Sequence, residues 1–178
     1  HKEYRRQRQM CIRDRANMAL EKYLSEIELE LIRTNVGDRY LVEGMRKNNS
    51  NIGGEPSGHI VMSNFGKTGD GLIASLQILS IMCLDHRPIS EIVNLFKLYP
   101  QKNITLPLKG KDPLSNEGIQ KVIKKQTDIL GESGRIVVRK SGTEPIIRIM
   151  VESLDDKLSL NIANEISSSI EHLINKKD

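Results

Sequence analysis

Arg135-Ile136-Val137-Val138-Arg139-Lys140-Ser141-Gly142-Thr143-Glu144-Pro145-Ile146-Ile147-Arg148-Ile149-Met150-Val151 decides how this chain is read. An apolar, β-branched run enters a polar hinge and another leaves it, which predicts strand, loop, strand. Arg139 offers a planar fork of donors suited to phosphate oxygens. Ser141 and Thr143 add hydroxyls, and Gly142 lets backbone N–H groups approach an anion closely. An ordinary hairpin with a solvated Ser-Gly-Thr tip has the same composition. The two flanking arginines weigh toward an anion: Arg148 interrupts an apolar strand, a costly place for a cation without an anionic partner.

Working outward, a second glycine-rich hinge lies at Gly53-Gly54-Glu55-Pro56-Ser57-Gly58-His59, again between apolar segments. Glu55 and Ser57 are two residues apart on extended backbone and so point the same way. The pair suits adjacent sugar hydroxyls, or equally a solvated turn. His59 has no Cys or Asp at metal-ligand spacing, which argues against a metal site. Gly66-Lys67-Thr68 lacks the upstream glycine of a nucleotide loop, because position 61 is Val61.

The remaining pattern predicts a helix at Asn17–Leu24, a strand at Ile27–Leu31 and a helix at Arg39–Arg46. Asp70 is the expected N-cap of a helix from Gly71, with an apolar stripe of Leu72, Ile73, Leu76, Leu79 and Met82 and with Cys83 in the core. Ser90 is expected to cap a helix carrying Ile92, Val93 and Phe96. Tyr99-Pro100 breaks the pattern. A strand at Ile104–Leu108, a helix around Ile119–Leu130 and a C-terminal helix with Leu158, Ile162, Ile166, Ile170 and Ile174 on one stripe complete the second part.

The chain has 178 residues, 38% hydrophobic and without tryptophan, with a formal net charge of +4. Residues 1–15 hold six Lys/Arg against two Asp/Glu, an excess equal to the charge of the whole chain, so the body is balanced. A nucleic-acid surface is therefore not expected outside this leader, which is read as a disordered or non-native segment. A basic arm for nucleic acid is the alternative. Two cysteines without framework spacing, no long apolar run and no apolar segment after the basic start point to a cytoplasmic protein away from the membrane.

RKSGTEPIIRIMVE resembles the phosphate-binding loop of the α-D-phosphohexomutase superfamily, and GGEPSGH resembles its sugar-recognition loop. Thr68-Gly69-Asp70-Gly71 and Val36-Gly37-Asp38-Arg39-Tyr40 also resemble superfamily segments, in the same order. RKSGTEP and VGDRY favour the branch acting on glucosamine phosphates; branches acting on mannose or glucose phosphates are the alternative. The resemblance implies a four-domain enzyme around one cleft. Its phosphoserine lies in a loop like A-S-H-N-P and its Mg²⁺ in a loop like D-G-D-x-D-R, and neither is found in this chain. It implies that 16–98 is an α/β third domain, a mixed sheet with helices that lacks its opening strand and helix. Residues 99–178 would then be an α+β C-terminal domain with helices on one sheet face.

Carried over, Glu55 and Ser57 are the expected sugar ligands, with His59 beside them. Arg139, Ser141, Gly142 and Thr143 are the expected phosphate ligands. Gly37, Asp38 and Arg39 are expected at the cleft between them. Pro56 departs from the Gln or Asn expected there and removes a backbone donor. The expected partners are a phosphosugar and the N-terminal domains of the same enzyme. The chain alone is expected to be inert, with sheet edge and apolar surface left open.

Overall fold

A computed structural model describes residues 9–13, 16–35, 37–108 and 112–175. The chain divides into two compact units, His1–Leu98 and Tyr99–Asp178.

In the first unit, strands β1 (Gln9–Arg13), β2 (Glu30–Thr34), β3 (Ile52–Gly54) and β4 (Ile60–Met62) form a sheet in the order β2-β1-β3-β4. The first three are parallel and β4 is antiparallel to β3. Helix α1 (Met18–Glu26) begins where the Asn17 side chain accepts from the Ala19 N–H. Arg33 ties that helix to β2 through Glu21 at 2.7 Å and the Ala16 carbonyl at 3.0 Å. Helix α2 (Asp38–Lys47) lays Leu41 and Met45 on Cys11 and Val61. It sits close because position 53 is glycine: a Cβ there would come 2.5 Å from Met45 Sδ.

Four expectations for this unit do not hold. The leader was placed outside the fold, yet Gln9–Arg13 is an inner strand with Cys11 and Ile12 buried. Met10-Cys11-Ile12 is a short apolar triplet that long-range pairing can recruit, and its basic flanks concealed it. Residues 1–8 lie outside the described residues. The strand expected at Ile27–Leu31 runs instead over Glu30–Thr34, since Ile27 closes α1 by donating to the Leu24 carbonyl and Glu28 turns with φ 59°. Helix α3 (Gly71–Asp85) does start at Asp70, whose carboxylate accepts from Leu72 and Ile73 N–H. Its stripe is not a core, however: Ala74 alone is buried, Leu72 is 71% exposed, and Cys83 is exposed. Helix α4 (Ile89–Ile92) is a single turn with Pro88, not Ser90, at its cap.

The second unit is an antiparallel sheet, β5 (Gln101–Pro107), β7 (Ile146–Ser153) and β6 (Gly134–Lys140), in the order β5-β7-β6. Helices α5 (Glu117–Leu130) and α6 (Asp156–Asn175) bury one face of it. Ile147, Ile149 and Val151 alternate onto that face and meet Ile162, Ile166 and Ile170 of the predicted stripe. Each such buried side chain contributes roughly 1.5–3 kcal/mol. Asn116 caps α5 by accepting from Gly118 and Ile119 N–H.

The opposite face of β7 carries Arg148, Met150 and Glu152. Glu152 is 0% exposed and paired with Arg135 at 3.1 Å, and it also accepts from the Gln101 amide.

Candidate functional site

The parallel strands of the first unit end on one side. The β2–α2 turn and the β3–β4 loop both open there, the end of an open α/β sheet where ligands bind. In the β3–β4 loop the Glu55 N–H donates to the His59 carbonyl at 2.9 Å, and the Gly58 N–H donates back to Glu55 at 3.0 Å. The loop is thereby a closed turn. Ser57 Oγ donates to Glu55 Oε2 at 3.3 Å, so the hydroxyl and carboxylate do face each other.

His59 Nε2 lies 3.5 Å from Asp38 Oδ2, which joins the loop to the first turn of α2. The imidazole fills the space where a side chain at position 69 would begin, so Gly69 is what seats the ring. Arg39 turns away to Glu43 at 2.8 Å, one helical turn along, and stays exposed. Asp38 and His59 are thus brought together, while Arg39 is not.

In the second unit the hairpin loop between β6 and β7 is closed by the Ser141 N–H to the Ile146 carbonyl at 2.9 Å. Among the described residues, the Gly142 and Thr143 N–H groups make no backbone hydrogen bond, and both residues are exposed. The ladder register sets Arg139 directly opposite Arg148, on the face away from the helices.

Arg148 is held by Glu144 at 2.8 Å, and its Nε is buried without a hydrogen-bond partner. Arg139 donates to the Lys140 carbonyl at 3.2 Å. Lys140 is held by Asp112 at 2.8 Å, and that hydrogen bond pulls the Asp112 carboxyl below its usual range. Two guanidiniums therefore stand opposite each other with a carboxylate on Arg148 alone, next to hydroxyls and open backbone donors. Such a cluster attracts a multivalent oxyanion.

Arg148 was not among the residues expected to bind phosphate; its signal was a cation inside an apolar strand. Asp112 had no signal beyond an Asp-Pro turn. Among the described residues no group of three His, Cys, Asp or Glu could hold a metal ion. No helix among them is long and apolar enough to cross a membrane.

Residues 7–99 match the family model described as phosphoglucomutase/phosphomannomutase, alpha/beta/alpha domain III, and residues 102–169 match that of the C-terminal domain. The chain belongs to the phosphoglucomutase/phosphomannomutase family.

The first match begins within the basic leader and takes in β1. Phosphoglucosamine mutase of Parvibaculum lavamentivorans is 48% identical over 157 residues, 88% of this chain and 35% of its own length. Phosphoglucosamine mutase of Brucella anthropi is 46% identical over 151 residues, 85% and 34%. The chain spans about a third of the length of these curated relatives. Among solved structures, Aspergillus fumigatus N-acetylphosphoglucosamine mutase superposes with a TM-score of 0.77 at 17% identity, covering 93% of this chain and 39% of that one. An N-acetylglucosamine-phosphate mutase in its substrate complex gives 0.72 at 19%, covering 91% and 38%. These two similarities establish the fold alone.

Proposed function

We propose that this chain supplies sugar and phosphate recognition to a phosphoglucosamine mutase, which interconverts glucosamine 6-phosphate and glucosamine 1-phosphate in the cytoplasm. The observation that carries the reading is the Arg139–Arg148 pair beside the Ser141–Thr143 loop. Two cations set opposite each other in a strand ladder repel unless an anion bridges them. A phosphate monoester has the charge and the several acceptor oxygens to do so. Ser141 and Thr143 hydroxyls and the Gly142 N–H complete the donor set. Glu55 and Ser57, already facing one another, suit neighbouring sugar hydroxyls. Asp38 orients His59 beside them. The identity to phosphoglucosamine mutases supports the amino-sugar substrate over mannose or glucose phosphates.

In the superfamily reaction, phosphoserine passes its phosphoryl group to the sugar and receives the other one back, through a bisphosphorylated intermediate. The phosphoserine and Mg²⁺ loops that this needs have no counterpart in this sequence. The two units bind and orient; they carry no nucleophile for the transfer. The isolated chain is therefore inert as a catalyst.

Titration of glucosamine 6-phosphate into the chain, followed by amide NMR, tests the reading. Saturable shifts at Gly142, Thr143 and Glu55 that vanish in Arg139→Ala support it. Shifts that persist in that variant would sink it. A panel of hexose phosphates on an enzyme completed with its other domains decides the sugar.

A further inference from the structure

A cavity of about 390 Å³ lies at the other end of the first unit's sheet from the Glu55–His59 loop. It is built where α2 ends, where β3 begins and where β4 turns back; the Ser63 N–H to Asn51 carbonyl bond at 2.9 Å closes that end of the hairpin. Val42, Met45 and Val61 give it an apolar floor, continuous with the core of the unit. Arg46 and Lys67 stand among its lining residues with Asn64, and no carboxylate lines it. Neither cation makes an ion pair among the described residues. By volume the space suits a small-molecule ligand. An apolar floor beside two cations without ion pairs and three asparagine amides selects for charge at one end of the ligand and apolar surface at the other.

We propose that this cavity is a second ligand site, which takes a small organic anion: a phosphate or carboxylate headgroup on Arg46 and Lys67, with an apolar body on Val42, Met45 and Val61. It is separate from the phosphosugar site, because β3 runs away from it toward Glu55 and the two openings face opposite ends of the strand.

The test uses the full chain carrying Arg139→Ala, which silences the hairpin cradle, with methyl and amide NMR as the readout. The probes are phenyl phosphate, benzoate, phenol and inorganic phosphate. Saturable shifts at Val42, Val61 and Asn64 with phenyl phosphate, benzoate or both are the expected result, and which of them binds names the headgroup. Phenol and inorganic phosphate should bind roughly tenfold more weakly or worse, each lacking one half of the recognition. Adding Arg46→Gln and Lys67→Gln, both exposed and so tolerated by the fold, should weaken binding by about tenfold or more. Two results would overturn the proposal: no saturable shift at the lining residues with either anion up to millimolar concentration, or undiminished binding in the doubly neutralised protein. Failure of the phosphosugar reading would appear at Gly142 and Thr143 in the unmutated chain, and so is told apart from failure here.

Discussion

Arg139 and Arg148 face each other across the β6–β7 ladder, and only Arg148 has a carboxylate, Glu144, to lean on. The ladder thus holds an unbalanced positive charge at the mouth of a loop whose donors face solvent. Replacing Arg139 with alanine removes a like-charge neighbour, so stability should stay within about 0.5 kcal/mol of the parent in urea unfolding. Phosphosugar affinity in the same protein should fall by roughly tenfold or more. A large loss of stability would show that Arg139 is structural instead.

Glu152 makes the opposite case. It is wholly buried on β7, held by Arg135 and Gln101. Arg135→Ala leaves that carboxylate without its cation and should cost about 3 kcal/mol. Arg135→Ala combined with Glu152→Gln should recover part of the loss, as measured by thermal unfolding. An Arg135→Ala protein as stable as the parent would mean that the pair contributes little.

Position 53 tests the packing of the first unit. A Cβ there would meet Met45 Sδ at 2.5 Å and Leu41 Cδ1 at 3.2 Å. Gly53→Ala should therefore destabilise by about 1–3 kcal/mol through overpacking. Adding Met45→Ala should restore some of the room. The double variant falling no closer to the parent would place the strain elsewhere.

The Asp112–Lys140 pair predicts a pH dependence. The hydrogen bond from Lys140 lowers the folded-state pKa of Asp112 below its unfolded value of about 3.9. Its stabilisation is therefore present above that unfolded pKa and lost as pH falls through the lowered folded value. Lys140→Ala should flatten the fall of melting temperature in that acid window and leave the neutral range changed by less than about 1 kcal/mol. Identical acid profiles for the two proteins would contradict this.

Helix α3 exposes Leu76 and Leu79 by about half, in a helix with little polar surface. Leu76→Gln with Leu79→Gln should raise solubility and leave the unfolding midpoint nearly unchanged, within about 0.5 kcal/mol. Light scattering against concentration checks the first part and denaturant unfolding the second. A marked loss of stability would show that these leucines belong to the unit's own core.

What was legible in the sequence is local. The β6–β7 hairpin, the Asp70 cap and the isoleucine stripe of α6 each follow from spacing within a few residues, because turn chemistry, capping and helical periodicity act over that range. Glu55 meets Ser57 through the closed turn of the β3–β4 loop, not through the extended backbone expected of that segment. Tertiary structure decided the rest. Cys11 is buried because β1 finds β2 and β3 as neighbours, a pairing that no property of Met10-Cys11-Ile12 announces. Asp38 meets His59 only through the convergence of two parallel strand ends, and Arg148 stands against Arg139 only through the ladder register. The apolar character of α3 read as core, yet the helix is exposed, because an apolar residue is buried only where another surface covers it.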